Sequence, residues 1–180
     1  MGSMLEVSSR QLGMNPGTAD VVEYTDFKMP QATTLEAALE EVGIHHSNVH
    51  MGLRRRFEIE PVAGEVGQLV TMGVKKHIEI SAPDGSPELR SWFEGFVARP
   101  TGLRSLLALS WTMSPQSVSD KVWIYAVGSA PKPFAYCAGE LFVPYLYSSK
   151  NGEWCLGLNV AASALRPGAF ILGECLLDGR

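Results

Sequence analysis

Residues 141–161 of the chain read LFVPYLYSSKNGEWCLGLNVA, and this stretch decides the fold. Two apolar segments flank the dipeptide Asn151-Gly152, which is the strongest short signal of a β-hairpin because both turn residues take positive φ. We therefore expect antiparallel strands over 141–149 and 154–161. A two-residue turn would place Ser148 opposite Cys155.

A two-residue hydrophobic period continues outward from this hairpin. Residues 68–80 read QLVTMGVKKHIEI, and their apolar side chains fall on even positions, as in a strand with one buried face. The strand before the hairpin turn is expected to begin near residue 134. Further strands are expected over 21–27, 92–98, 107–113, 122–127 and 170–177.

One segment has helical spacing instead. Residues 33–42 carry an apolar stripe at i, i+4 and i+7, and Thr33 and Glu36 have the spacing of a capping box. Gly43 fits the left-handed position after the helix. The chain is therefore predicted to be all-β with one short helix, folded as an antiparallel β-sandwich or barrel. We expect 1–18 to be a tag remnant and loose lead-in, and 19–180 to form a single domain.

Composition narrows the class of protein. The chain has 180 residues, 46% of them hydrophobic, with a net charge of −4 and a pI near 5.6. No apolar run approaches the roughly 20 residues of a membrane helix, so no membrane partner is expected. A strong basic excess, typical of nucleic-acid modules, is missing. The cysteines at 137, 155 and 175 form no Cys-x-x-Cys, which favours reduced thiols in a reducing compartment.

Three histidines are the candidates for a metal site. His46 and His50 are four residues apart, the spacing of a helical zinc pair, and His45 is adjacent. Ser47 and Asn48 favour a turn over a helix, so an ordinary polar loop without metal is the expectation. The sequence also carries no nucleophile motif and no phosphate-binding glycine motif. We therefore predict no catalytic residue, no cofactor and no enzymatic activity.

Two basic runs could form one patch if their strands are neighbours. Such a patch would bind phosphate or a partner carboxylate, whereas separate runs would be solvated strand ends. Nucleic acid therefore stays open as a partner through this local patch. The residues are Arg54, Arg55, Arg56, Lys75 and Lys76.

Aromatic residues are abundant in the predicted strands. Tryptophan and tyrosine dominate the binding energy of protein interfaces. Trp123 and Tyr125 lie on the less regular face of their strand, and we predict an interface anchor there.

A family resemblance appears at residues 139–145, which read GELFVPY and follow the apolar segment 121–127 and the polar loop 128–133. This arrangement resembles the last strand of single jelly-roll coat proteins of small icosahedral RNA viruses. The resemblance implies a jelly-roll sandwich, self-assembly into a shell, and a location in the virion or host cytoplasm. Pro144 departs from the motif, about 30 residues follow it, and the basic N-terminal arm of many such proteins has no counterpart.

The leading functional hypothesis is thus a structural, self-assembling jelly-roll subunit, a viral capsid protein, that forms homo-oligomers. The alternative is a β-sandwich or barrel module that binds a protein partner or a small apolar ligand. The remaining hypothesis is an enzyme whose catalytic metal ion is bound by the three histidines.

Overall fold

The structure is a computed structural model and describes residues 21–24, 27–61, 68–80, 87–96, 98–119, 121–128 and 140–175. The predicted lead-in 1–18 and Cys137 lie outside these ranges.

Seven strands of the described residues form one mixed sheet. Its order is β1-β2-β7-β4-β5-β6, and β3 pairs with β7 beside β4. The β4–β7 pair is parallel and the other pairs are antiparallel. The strands are β1 (Val21–Tyr24), β2 (Leu69–Gly73), β3 (Ala98–Pro100), β4 (Ile124–Tyr125), β5 (Phe142–Ser148), β6 (Trp154–Val160) and β7 (Phe170–Cys175).

Five α-helices accompany the sheet. Two 3₁₀ turns, at His46–Asn48 and Pro115–Ser117, precede α2 and follow α4. The helices are α1 (Leu35–Val42), α2 (Met51–Arg56), α3 (Pro87–Gly95), α4 (Leu103–Thr112) and α5 (Ala161–Ala164).

Both faces of the central strands are buried. Leu69 and Leu172 pack into one apolar cluster with α1, α2 and α4. Val70 and Ile171 pack into a second cluster with α3, α5 and the segment 74–80. Because side chains alternate along a strand, β2 and β7 contribute to both clusters, and the described architecture is a sheet between two helical layers.

The prediction of a strand-rich fold is confirmed, but the prediction of a single short helix is wrong. The expected strands at 92–98 and 107–113 are mostly α3 and α4. Leu103, Leu106 and Leu107 have the i, i+3, i+4 spacing of a buried helix face. A short segment with so many apolar residues matches the 3.6-residue period of a helix as well as the two-residue period of a strand. The described strands form one sheet, so the two facing sheets of a sandwich are not confirmed.

The hairpin of β5 and β6 is confirmed, but its predicted register is wrong by one residue. Tyr147, not Ser148, lies opposite Cys155. The backbone N–H of Ser149 donates to the carbonyl of Glu153 at 2.8 Å, which leaves three residues in the loop, and Gly152 takes a φ of 73°. Three-residue loops with a left-handed glycine are the next most common hairpin connection.

The predicted helix at 33–42 is present as α1. Its N-cap is Thr34 and not Thr33, because the Thr34 hydroxyl accepts from the N–H of Ala37 at 3.3 Å. Gly43 takes a φ of 79°, as its position after the helix predicts. The five even positions of 68–80 that were expected to share a face all lie in the second apolar cluster.

Candidate functional site

Four aromatic rings lie side by side on β5, on β4 and on the residue just before β4. We call them the aromatic face, and they are Trp123, Tyr125, Tyr145 and Tyr147. The pairing of β4 with β5 sets Tyr125 opposite Tyr145, and the centroids of these two rings are 5.2 Å apart. The ring of Tyr145 also lies 5.4 Å from that of Trp123 and 5.5 Å from that of Tyr147. All three spacings are in the range of favourable aromatic pairs.

A glycine on the neighbouring strand makes room for the central ring. Gly157 on β6 lies opposite Tyr145. A Cβ atom at Gly157 would stand 2.2 Å from Cζ of Tyr145, so the ring lies directly on the β6 backbone. The ring of Tyr145 therefore contacts both the backbone of β6 and the other three rings.

The rings differ in exposure. Trp123 is 43% exposed, and Tyr145 and Tyr147 are half-buried. Tyr125 is fully buried, and its hydroxyl accepts from Nδ2 of Asn159 at 3.0 Å. Of the two predicted interface residues, Trp123 can therefore contact a partner. Tyr125 cannot, because it is buried, and its ring packs against that of Tyr145.

The aromatic face is uncharged near neutral pH. Burial raises the pKa of Tyr125 to about 12, and it raises the pKa values of Tyr145 and Tyr147 above the ordinary value for tyrosine. Burial also raises the pKa of the Cys155 thiol beside Tyr147, which disfavours the thiolate. The surface therefore offers flat apolar rings with hydroxyl groups, which suits contact with another macromolecule.

Other exposed aromatic side chains have local partners. The ammonium group of Lys28 lies 5.5 Å from the ring centroid of Trp111, in a cation–π contact on α4. Phe96, just after α3, packs on Trp92 with ring centroids 4.7 Å apart. Trp123 instead continues a row of rings along the sheet, so we take the aromatic face as the candidate site.

The three candidate metal ligands have separate roles. Nδ1 of His45 accepts from the N–H of Ser47 at 3.2 Å, and Nδ1 of His50 accepts from the N–H of Gly52 at 3.0 Å. Nε2 of His46 lies 4.0 Å from a carboxylate oxygen of Glu40. Among the described residues, no three histidine, cysteine or acidic side chains form a group that could hold a metal ion.

The two basic runs lie far apart in the sheet. Arg54, Arg55 and Arg56 end α2, which contacts β6, whereas Lys75 and Lys76 follow β2. Strands β7, β4 and β5 lie between β2 and β6, a separation of about 19 Å at the usual strand spacing. Lys76 lies 3.6 Å from a carboxylate oxygen of Glu88. The described structure thus does not join the runs into one patch.

A cleft of about 310 Å³ lies at the start of α4, beside β3. The carboxylate of Glu60 accepts from the N–H groups of Leu103 and Arg104, both at 2.8 Å. The Arg104 guanidinium donates to three backbone carbonyls, and Arg99 pairs with Glu174. Backbone groups satisfy Glu60 and Arg104, and Arg99 pairs with Glu174, so we interpret the charged groups at this cleft as a structural junction.

Sequence reasoning did not single out Tyr145 and Tyr147. Their signal was the alternation of aromatic residues at 145 and 147 in one strand and at 123 and 125 in another. The pairing of those strands could not be read from periodicity, because β4 pairs with β5 across a connection of some 16 residues.

Comparisons with known proteins leave the family open: no family model, no curated protein and no solved structure matches the chain. Within the described ranges, none of the helices has the length and apolar character needed to span a membrane.

Proposed function

We propose that this chain is a non-catalytic structural subunit that assembles with copies of itself through the aromatic face. One observation carries the proposal: Trp123 is 43% exposed at the end of a row of packed aromatic rings. Aromatic side chains of this kind provide most of the binding energy in protein interfaces.

The rings are also ordered before any partner arrives. Tyr145 contacts the other three rings and lies on the backbone of Gly157. Association normally costs about 0.5–1.5 kcal/mol for each flexible side chain that becomes fixed. Since these rings are already held, little of that cost remains, and burial of Trp123 contributes more fully to affinity.

A second copy of the chain is the occupant that we propose. The chain carries a net charge of −4, so two copies repel each other at long range. The aromatic face adds no charge to this repulsion at close range, because phenols whose pKa is at or above the ordinary value for tyrosine stay protonated near neutral pH. A twofold contact would place identical uncharged rings against each other, which is the usual form of a homodimer interface.

The finer form of the proposal is a jelly-roll coat protein that acts in a virion or in the host cytoplasm. Its support is the sequence resemblance at residues 139–145, to which the mixed sheet with its parallel β4–β7 pair adds nothing. In this form the self-contact would recur around a closed shell, and nucleic acid would be a partner only through local basic side chains.

Light scattering during size-exclusion chromatography, from pH 5 to pH 8, tests self-assembly. The expected result is a mass above 19.6 kDa that rises with concentration. Negative-stain microscopy of any large species would then distinguish a dimer from rings or shells. A constant mass of one chain under all conditions would refute self-assembly and leave a different protein as the occupant of the aromatic face.

A further inference from the structure

The hairpin loop between β5 and β6 exposes an asparagine that is followed by a glycine. Asn151 is exposed, and its side-chain amide makes no hydrogen bond within the part of the chain that the structure describes. Gly152 has no Cβ atom to crowd its backbone nitrogen. An asparagine in this setting is chemically labile, because that nitrogen can attack the side-chain amide carbon and close a five-membered ring.

The other two asparagines in the described ranges are protected. Nδ2 of Asn159 donates to the hydroxyl of Tyr125 at 3.0 Å, and its Oδ1 accepts from the N–H of Val160 at 2.9 Å. Nδ2 of Asn48 donates to a carboxylate oxygen of Glu153 at 3.4 Å. Both asparagines are partly buried, and each precedes a valine, whose branched side chain crowds the nitrogen that would attack.

We propose that Asn151 is a site of spontaneous deamidation and that the hydrogen bonds of the hairpin loop control its rate. The N–H of Gly152 donates to the carbonyl of Ser149 at 2.9 Å, and Nε2 of Gln116 donates to the carbonyl of Gly152 at 3.0 Å. The nitrogen of Gly152 must leave the Ser149 carbonyl before it can react, so the loop has to open locally first. This inference concerns the loop and does not depend on the aromatic face.

Water is the one co-reactant that the reaction needs. The backbone nitrogen of Gly152 loses its proton and forms a bond to Cγ of Asn151, while the Cγ–Nδ2 bond breaks and ammonia leaves with that proton. Water then opens the cyclic imide at one of its two carbonyl groups. Cleavage of the new bond to Cγ gives aspartate. Cleavage of the bond to the backbone carbonyl of Asn151 gives isoaspartate, whose main chain runs through Cγ.

Both products change the loop. Each replaces a neutral amide with a carboxylate, so the formal net charge of −4 becomes one unit more negative. Isoaspartate also adds a carbon atom to the main chain of a loop that is closed by the 2.8 Å hydrogen bond from the N–H of Ser149 to the carbonyl of Glu153. Because loop length sets the register of a hairpin, this product strains the pairing that places Tyr147 opposite Cys155.

Peptide mass spectrometry of the full chain, incubated in mildly alkaline buffer, tests the site without any variant. The peptide that contains Asn151 should gain a carboxyl group, as aspartate and isoaspartate, while Asn48 and Asn159 keep their amides. The same incubation in guanidinium chloride should accelerate conversion at Asn151, because the unfolded loop has no hydrogen bonds to break. Retention of the Asn151 amide for as long as the other two amides would overturn the proposal.

Gln116→Ala tests the control of the rate, because it removes the donor to the carbonyl of Gly152. Loss of one hydrogen bond should accelerate deamidation of the folded chain by about two- to tenfold. Gln31→Ala is the matched control, since Gln31 is also exposed but donates to the carbonyl of Met29, and its rate should equal that of the wild type. Equal rates in the two glutamine variants would contradict control by the loop, and so would equal rates in the folded and unfolded wild type.

Discussion

Tyr145 lies on Gly157: the phenol ring on β5 occupies the space where any larger residue on β6 would place its Cβ atom. Because the same ring contacts Trp123, Tyr125 and Tyr147, this one pairing positions the whole aromatic face.

The first prediction concerns that pairing. Gly157→Ala would bring Cβ to within 2.2 Å of the Tyr145 ring and 2.6 Å of its hydroxyl oxygen. We expect the ring to be displaced and the free energy of unfolding to fall by about 1–3 kcal/mol, the usual cost of overpacking. Urea denaturation measures this change.

Gly95→Ala is the matched control, because a Cβ atom there meets nothing within 4 Å. It should leave stability unchanged or raise it slightly, since alanine favours helices over glycine. Equal stability of the Gly157 variant and the wild type would show that Tyr145 does not depend on this glycine.

A second prediction concerns the buried guanidinium of Arg104, which is 3% exposed. Its side chain donates to the carbonyls of Pro30, Ala32 and Glu60 and thereby joins the segment before α1 to α4. Arg104→Leu leaves these acceptors without their donor, so unfolding should become easier by about 2–5 kcal/mol.

The control is Arg55→Leu on the exposed side of α2, for which thermal unfolding should change little. If both arginine variants melt at the same temperature, the three carbonyl contacts contribute nothing measurable to the fold.

A third prediction concerns alkaline pH. Burial raises the pKa values of Tyr24 and Tyr125 to about 12, against about 10 in an unfolded chain. Below pH 10 both states keep these protons and the full stability is present. Between pH 10 and 12 the unfolded state releases them first, so stability should fall by roughly 2–3 kcal/mol per group.

Absorbance at the phenolate band should then show two tyrosines that titrate near pH 12 in the wild type and one in Tyr125→Phe. Titration of every tyrosine together near pH 10 would contradict the burial of these two phenols.

Local sequence signals predicted β1, β2, the β5–β6 hairpin, β7 and α1. These signals gave a strand in place of helix α4, because its short apolar segment, with Leu103, Leu106 and Leu107, fits both the strand period and the helix period. They also missed the hairpin register, because Gly152 could serve either a two-residue or a three-residue loop. A one-residue shift there decides that Tyr147 and not Ser148 lies opposite Cys155.

The candidate site was only partly predictable for a different reason. Trp123 and Tyr125 were expected at an interface from residue type, but alternation could not show that Tyr125 is fully buried. Burial there depends on β7, which pairs with β4 across some 45 residues of chain. The separation of the two basic runs likewise follows from strand order, which periodicity does not encode.

The most direct test of the central claim compares two tryptophans by sedimentation velocity over about 1 to 100 µM, a range suited to micromolar self-association. Trp123 on the aromatic face and Trp111 on α4 are 43% and 38% exposed, so their replacement by alanine removes similar exposed surface. We predict that Trp123→Ala weakens self-association by about tenfold or more, whereas Trp111→Ala leaves it unchanged. Equal association of the two variants would contradict assembly through the aromatic face.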